Sequence, residues 1–397
     1  MIFKKLALMG FVTLALVTTA QAKVWESMNT WDERWEDEYA QWVRTELQED
    51  VFTRGPYAGI STDCADAVYA MRIIFSYQKK LPFAASGMTS NTTRFDDLSN
   101  ETRRVRAFIN YVAENTGTIS LSQDTYPIAI TPQSLKPGVV WIRSSIGSRN
   151  WFLKMFAKDV SRHTEVVKDV TATGVIYLMG STVPSQVRNL SVTSSLMFAP
   201  FDQTFGLRRW TWPQNQGGDP TTFNNYSLEQ FQMGGPGKAK LGPYVANIKA
   251  RLATRAETRE EGVARMAKDL CTMTHLRNEV VQDAIQFFKA NPTCLAKNSS
   301  EYDEYSTPTR DKRMKLSLQD LVNVANAGTF MTSPSKKVER ILPYFADCAP
   351  IVISDGRQLP MSDILLALAK KDLDSDPNQN ELVRWGFTSD EKLCQSR

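Results

Sequence analysis

The positions of the five cysteines constrain the fold of this 397-residue chain more than any other feature. Two disulfides can form in three ways among the four that lie in the last third: Cys271, Cys294, Cys348 and Cys394. Proximity along the chain favours Cys271 with Cys294 and Cys348 with Cys394. Cys64 lies far upstream of these four, so the pattern leaves its thiol unpaired.

The first 22 residues have the composition of a secretory signal peptide. Two lysines precede an apolar run at residues 6–17, and the segment ends in Ala20-Gln21-Ala22. We therefore expect a secreted or periplasmic protein whose mature chain begins at Lys23. The apolar run is short for a membrane span, and no later segment approaches that length, so no integral membrane segment is expected after cleavage. In an oxidising compartment an unpaired thiol such as Cys64 indicates either a reactive group or a buried one.

Charge and length limit the partners and the number of domains. Without the two leader lysines, the excess of basic over acidic residues falls to about two, which predicts no strong attraction to nucleic acid. A chain of this length exceeds what one core usually supports, so two domains are expected. The Gly- and Pro-rich segment at residues 232–243 sets the boundary near residue 240. The domains are thus expected at residues 23–240 and 241–397.

Hydrophobic periodicity predicts an α+β fold. An aromatic stripe within residues 23–54 and apolar positions at residues 64–79 indicate two helices, and residues 101–115 indicate another. Strand patterns follow at residues 139–143, 164–168 and 175–179, and a turn-rich segment joins the last two as a hairpin. A helix followed by several adjacent strands favours an antiparallel sheet. Beyond residue 240 the patterns are helical.

Cys64 is expected in the first turn of its helix. Ser61, Thr62 and Asp63 are the candidate N-caps, and Asp66 falls in the first turn. The partial positive charge of a helix N-terminus stabilises a thiolate, which predicts a lowered pKa for the Cys64 thiol. The same backbone amides can contribute to an oxyanion hole.

Only two histidines can serve as a base. His163 opens the strand pattern "HTEVV", and His275 lies inside a helical pattern beside Cys271. A histidine at a strand end that faces a helix beginning with cysteine is the arrangement of papain-like hydrolases. His275 is interpreted as an ordinary helix residue. Two distant histidines and paired cysteines do not make a zinc site, so no metal and no cofactor are expected.

Three segments resemble the NlpC/P60 family of cysteine hydrolases. Residues 55–71, "GPYAGISTDCADAVYAM", are similar to the family motif in which an Asp-Cys pair begins the catalytic helix. "SLKPGVVWI" resembles the turn that leads into the first sheet strand, and "RHTEVVKDVTATGVIYLMGST" resembles the next two strands. The resemblance covers about residues 50–215 and implies a papain-like core, followed here by the helical C-terminal domain.

The resemblance implies a role for each matching residue. Cys64 becomes the nucleophile, His163 the general base, and Tyr57 a hydroxyl near the oxyanion. Ser181 or Thr182 is the nearest match to the third residue, which orients the imidazole. Neither is the histidine that the family usually has at this position.

A second resemblance competes with the first. "CADAVYAMRIIFSYQKKLPF" is similar to the cysteine helix of transglutaminase-like enzymes, and "HTEVV" is similar to their histidine strand with a shortened spacing. In that interpretation Asp169 orients His163. The "LKPG" turn favours the NlpC/P60 family.

These observations predict an exported thiol hydrolase that cleaves an amide bond, with a peptide or cell-wall fragment as substrate. We expect Asp63, next to the nucleophile, and the pair Arg208 and Arg209 to contact that substrate; either arginine can bind a carboxylate through two hydrogen bonds. The alternative is a non-catalytic envelope binding or scaffold protein that keeps the fold. A short distance between Cys64 Sγ and a nitrogen of His163 in an open cleft favours the enzyme, and a buried thiol favours the alternative.

Overall fold

The computed structural model describes residues 23–144, 162–194, 199–200, 202–235, 240–297, 299–327, 333–388 and 392–395. The predicted leader, residues 1–22, lies outside the described residues. Buried apolar side chains form two clusters, the first from Val24 to Leu252 and the second from Val263 to Trp385. Within the ranges above, no helix combines the length and the apolar character that crossing a lipid bilayer requires.

The first cluster holds helices and an antiparallel sheet, which makes the fold α+β as predicted. Its helices are α1 Glu33–Thr45, α2 Cys64–Gln78, α3 Glu101–Asn115, α4 Thr118–Gln123 and α5 Leu241–Leu252. Its strands are the hairpin β1 Ala84–Ala85 and β2 Met88–Thr89, then β3 Thr125–Pro127, β4 Val140–Ser144, β5 Arg162–Val170, β6 Ile176–Gly180, β7 Ser191–Thr193 and β8 Gly206–Trp210. The last six form one sheet in the order β3-β8-β4-β5-β6-β7, and every neighbouring pair is antiparallel.

Helices cover both faces of this sheet. On one face, α1 and α2 lie against β5, and Lys168 of β5 donates from Nζ to the Val43 carbonyl at the end of α1, at 2.7 Å. On the other face, Trp141 of β4 stacks on Tyr244 of α5, with 6.2 Å between the ring centroids. Coverage on both faces explains why Val166 and Val167, neighbours in β5, are both fully buried.

The two clusters divide after Leu252, not near residue 240. Tyr244, Ile248 and Leu252 of α5 all belong to the first cluster. The last three residues of the Gly- and Pro-rich segment, 241–243, are the first residues of α5, so this segment does not separate the two cores. Composition marks a connection, whereas the core to which the next helix belongs depends on tertiary packing.

The second cluster is mostly helical, as predicted. Its elements are α6 Arg259–Ala290, α7 Ser300–Tyr305, α8 Pro308–Ala325, α9 Pro334–Ile341, the hairpin β9 Ile351–Val352 and β10 Gln358–Leu359, α10 Met361–Lys370 and α11 Glu381–Arg384. A capping box begins α6, because the side chains of Thr258 and Glu261 each accept the backbone N–H of the other. Residues 259–290 thus form one uninterrupted helix on which the other elements pack.

The disulfides pair Cys271 with Cys348 and Cys294 with Cys394, so the favoured pairing was wrong. Cys271 lies within α6, and 19 residues of helix separate it from the C-terminal end at Ala290. That distance is roughly 30 Å at 1.5 Å per residue, whereas bonded cysteines have Cα atoms within about 7 Å. Two disulfides are compatible with an exported protein.

A buried ion pair joins α1 to α2. Arg72 is 3 % exposed and donates two hydrogen bonds to Glu36, at 2.6 and 3.2 Å. Its guanidinium lies 3.5 Å from the centroid of the Trp31 ring. A third hydrogen bond to the Glu36 carboxylate comes from Trp212, whose indole N–H donates at 2.7 Å. Both charges therefore have hydrogen-bond partners and are shielded from water by aromatic rings.

Candidate functional site

Two aspartates cap the helix that Cys64 begins. Asp63 Oδ1 accepts the backbone N–H groups of Ala65 and Asp66, at 2.9 and 3.0 Å. Asp66 Oδ2 accepts the N–H of Asp63 at 2.9 Å, which completes a capping box. The predicted helix start is confirmed. The Asp63 carboxylate, expected to contact substrate, here binds the free amides of its own helix.

The thiol of Cys64 is buried and held in its neutral form. Cys64 is 4 % exposed. Burial, followed by the negative charge of Asp63, raises the pKa of the Cys64 thiol, while polar groups of Thr164 and Thr118 beside the sulfur oppose the shift. The direction is opposite to the lowered pKa expected from the helix N-terminus. Burial is the largest cause of the raised pKa, and the amides of Ala65 and Asp66 already bind the Asp63 carboxylate.

His163 forms a pair with Glu165 on β5. His163 Nε2 lies 3.8 Å from Glu165 Oε1, and Glu165 Oε2 lies 3.8 Å from Nε of Arg143. Burial, then the positive charges of Arg143 and Arg313, lower the pKa of His163. Burial raises the pKa of Glu165, but His163 and the two arginines outweigh it and lower the pKa overall. At neutral pH the imidazole is neutral and the carboxylate is ionised.

The alternation of side chains along β5 indicates that the sulfur and the imidazole lie on opposite faces of this strand. Successive side chains of a strand point to opposite faces, and the fully buried Thr164 points toward Cys64. His163 and Glu165 therefore project from the other face, together with Arg143, the β4 residue that pairs with His163. Among the described residues, the imidazole pairs with Glu165 and makes no hydrogen bond to Cys64 Sγ. The recorded contacts thus pair the imidazole with Glu165 and place Thr164 beside the sulfur.

The residues predicted to orient His163 make other contacts. Ser181 donates from Oγ to the Thr62 carbonyl at 2.9 Å, and Thr182 Oγ1 accepts from Arg310 at 2.9 Å. Asp169 binds Arg44 at 2.8 Å and lies six residues along β5, roughly 20 Å from His163. Sequence reasoning missed Glu165, although its spacing of two residues from His163 in a strand places both side chains on one face.

Tyr57 lies at the wrong end of α2 to assist Cys64. Tyr57 closes the short 3-10 helix Gly55–Tyr57 and is buried. Burial raises the pKa of its hydroxyl to about 12, and Tyr77 and Gln78 are the polar groups beside it. Gln78 ends α2 and Cys64 begins it, a separation of roughly 20 Å. The hydroxyl therefore cannot contribute to an oxyanion site at Cys64.

Arg208 and Arg209, expected to contact substrate, are buried and bound within the protein. Arg208 donates from Nε to Thr125 Oγ1 at 2.8 Å and from Nη2 to the Ser122 carbonyl at 2.7 Å. Arg209 forms an ion pair with Glu33 at 2.8 Å. These contacts tie β8 to β3 and to α1. Strand β8 lies two positions from β5 in the sheet.

Cys271, His275 and Cys348 meet in the second cluster. Their potential ligand atoms all lie within 4.8 Å of one another. The two sulfurs are bonded to each other, and His275 Nε2 lies 3.1 Å from the Ala349 carbonyl oxygen. In this oxidised form the group offers no thiolate to a metal ion.

No family model, no curated protein and no solved structure matches this chain. The resemblances to NlpC/P60 and transglutaminase-like enzymes therefore rest on the quoted segments alone.

Asp66 makes the stability of this site depend on pH. Burial raises the pKa of Asp66 from 3.8 to about 6, so protonation of the carboxyl favours the folded chain. This contribution is complete below pH 4 and is lost as the pH rises through about 6, an effect of about 2 to 3 kcal/mol. We expect Asp66→Asn to remove most of this fall when urea unfolding is measured between pH 4 and 8. Asp169→Asn, a change at an exposed carboxylate, is the control, and identical pH profiles for Asp66→Asn and the wild type would contradict the prediction.

Proposed function

We propose that this chain is an exported binding protein that keeps a core resembling thiol hydrolases but recognises its ligand without cleaving it. The observation that carries the proposal is the placement of His163. Its imidazole pairs with Glu165 on the face of β5 opposite to Cys64. A cysteine hydrolase needs a base within about 3 to 4 Å of its sulfur, and Cys64 is buried with a raised pKa.

The ligand class comes from the resemblance of residues 55–71 to cell-wall hydrolases. A chain that keeps such a core in the cell envelope is expected to bind a peptide or cell-wall fragment. This part of the proposal is an analogy at the level of the fold, so it needs a binding measurement of its own.

A second candidate, the thiol hydrolase itself, is favoured by one observation. The one cysteine outside the disulfides begins α2 and contacts Thr164, the residue next to His163. Catalytic hydrogen bonds often tighten only when substrate binds. Under this candidate, substrate binding would reorient the first residues of β5, so that the imidazole leaves Glu165 and turns to the face of the strand that Cys64 contacts.

Purified cell-wall fragments separate the two candidates. We expect the wild type and Cys64→Ala to co-sediment equally with the fragments and to release no amine above background. Release of amine that requires both Cys64 and His163 would overturn the proposal in favour of the hydrolase. Failure of the wild type to co-sediment with fragments would overturn the assigned ligand class.

Alkylation of Cys64 by iodoacetamide provides an independent test. We expect a slow reaction whose rate rises only above the ordinary thiol pKa of about 8.5, because the folded chain buries a neutral thiol. His163→Ala should leave this pH profile unchanged, and the profile in denaturant gives the reference for an exposed thiol. A fast reaction near neutral pH that is lost in His163→Ala would show an activated thiolate and contradict the prediction.

A further inference from the structure

Four arginines converge where the sheet meets the second cluster. We refer to Arg143, Arg188, Arg310 and Arg313 as the arginine cluster. Arg143 lies on β4, Arg188 lies between β6 and β7, and Arg310 and Arg313 lie one turn apart on α8. The charges of Arg310 and Arg313 both act on Arg143, and those of Arg188 and Arg313 act on Arg310. The proposed function above gives none of the four a role in binding a ligand.

In two of these arginines, Arg143 and Arg313, the Nε atom is buried without a hydrogen-bond partner. Arg143 is 8 % exposed, and its Nε is buried without a hydrogen-bond partner, 3.8 Å from Glu165 Oε2. Glu165 Oε2 is itself buried and unpartnered. Arg313 also has a buried Nε without a partner, and within the described ranges it forms no ion pair. A buried polar group without a hydrogen-bond partner destabilises the folded protein, and more so when it is charged.

The other two arginines have partners but keep spare donors. Arg310 donates from Nη2 to Thr182 Oγ1 at 2.9 Å. Arg188 donates from Nη2 to the Pro184 carbonyl at 2.8 Å and lies 3.5 Å from Glu279, while its Nε is buried without a partner. Donors from three different segments of the chain therefore converge on one region.

Positive charge exceeds negative charge in this region. The carboxylates whose charges act on the four arginines are Glu165, Asp269, Glu279, Asp283 and Asp311. Two of them are ion-paired with other arginines, Asp269 with Arg265 and Asp311 with Arg277, and Arg313 forms no ion pair with any of the five. Burial, followed by the other arginines, lowers the pKa of Arg143 and of Arg310 to about 10. A buried excess of guanidinium is unfavourable unless an anion offsets it.

We propose that the arginine cluster binds an oxyanion, a carboxylate or a phosphate group of the ligand, with Arg143 and Arg313 as its main donors. The planar guanidinium matches both groups through paired hydrogen bonds. His163, whose side chain is 18 % exposed, lies beside Arg143 on the same face of the sheet and borders the site. This inference rests on the proposed binding function and names the chemistry that the ligand must carry.

Calorimetric titration with inorganic phosphate and with succinate, at constant ionic strength, tests the site. It also shows whether the cluster prefers a phosphate or a carboxylate group. We expect saturable binding of at least one of these anions. Arg313→Gln is expected to weaken that binding at least ten-fold. Arg255→Gln is the matched control, because Arg255 is an exposed arginine paired with Glu261 at 2.6 Å, and it should leave the affinity unchanged.

The alternative outcomes distinguish failure of the anion site from failure of the proposed function. Absence of saturation with both anions, or equal affinities for the wild type and Arg313→Gln, would show that the cluster binds no oxyanion. Because Arg313 has no ion pair to lose, Arg313→Gln is expected to unfold within a few degrees of the wild type, which keeps the test informative if Arg143→Gln fails to fold. Equal co-sedimentation of the wild type and Arg313→Gln with cell-wall fragments would overturn this site and leave the proposed function standing. Cys64-dependent cleavage of the fragments would overturn the proposed function alone.

Discussion

Replacing Arg72 with alanine is expected to lower the free energy of unfolding by about 3 to 5 kcal/mol. The substitution leaves Glu36 buried as a charge whose remaining partner is the indole N–H of Trp212. It also removes the guanidinium that lies against the Trp31 ring. Urea unfolding followed by tryptophan fluorescence measures the loss, because Trp31 reports directly on this region.

Arg44→Ala is the matched control for this prediction. Arg44 binds Asp169 at 2.8 Å, but both side chains are more than 40 % exposed, so the cost is expected to stay below about 1 kcal/mol. Replacing Arg72 and Glu36 together by apolar residues of similar volume should recover most of the lost stability, since no charge is then left buried and unpaired. Equal losses for Arg72→Ala and Arg44→Ala would show that the ion pair does not hold α1 on α2.

Removal of the Cys294–Cys394 disulfide is expected to cost about 4 to 5 kcal/mol. The bridge joins residues 100 positions apart, and in the chain-entropy model a loop of that length gives a contribution of this size. The bridge also holds the chain segment after α6 against residues near the C-terminus, where Leu295 N–H donates to Asn378 Oδ1 at 2.8 Å. Far-ultraviolet circular dichroism of Cys294→Ser/Cys394→Ser in urea measures the effect on the helical cluster.

The other bridge supplies the control. Cys271→Ser/Cys348→Ser opens a loop of 77 positions in the same cluster and should cost slightly less. Peptide mapping without reduction should recover the pairs Cys271–Cys348 and Cys294–Cys394. Recovery of the pair Cys271–Cys294, or unchanged stability in both double variants, would contradict this interpretation of the second cluster.

The helices and strands that depend on interactions between residues close in sequence were predictable. Asp63 and Asp66 specify the start of α2 through hydrogen bonds within one helical turn, and the predicted start is the observed one. Residues 101–115 form α3 over their whole length, with Asn100 as the N-cap. Strands β4, β5 and β6 include most of the residues assigned to them, because alternation and β-branched residues identify a strand locally. The antiparallel sheet follows from their short connections.

Tertiary geometry was not predictable in the same way. The cysteine pairing failed because proximity along the chain ignores the length of the rigid helix that separates Cys271 from Cys294. The helical pattern of residues 259–290 contains the information that excludes this pair, once its length is converted to a distance. The position of the Tyr57 hydroxyl was not predictable for the same reason. It depends on how the segment before α2 packs along that helix, which the sequence pattern does not show.

The residue that lies beside the Cys64 sulfur is decided by which face of β5 the helix α2 covers. The sequence indicates that His163 begins a strand and that Cys64 begins a helix, but it does not decide which face of β5 the helix covers. Thr164 and His163 are neighbours, so the choice of face decides which of them meets the sulfur. The structure places Thr164 there, and the pair of His163 and Glu165 faces the arginine cluster.

The packing of α5 against the sheet determines where this chain can be cut into two fragments that keep their cores. A shortened protein that stops at the Gly- and Pro-rich segment would leave the indole of Trp141 without the Tyr244 ring that stacks on it. Gly174, in the turn between β5 and β6, would also lose its close neighbour, because a Cβ atom there would lie 2.7 Å from the Lys249 carbonyl oxygen. A fragment intended to keep the sheet intact must therefore extend past Leu252, and the helical fragment should begin only with the Thr258 cap.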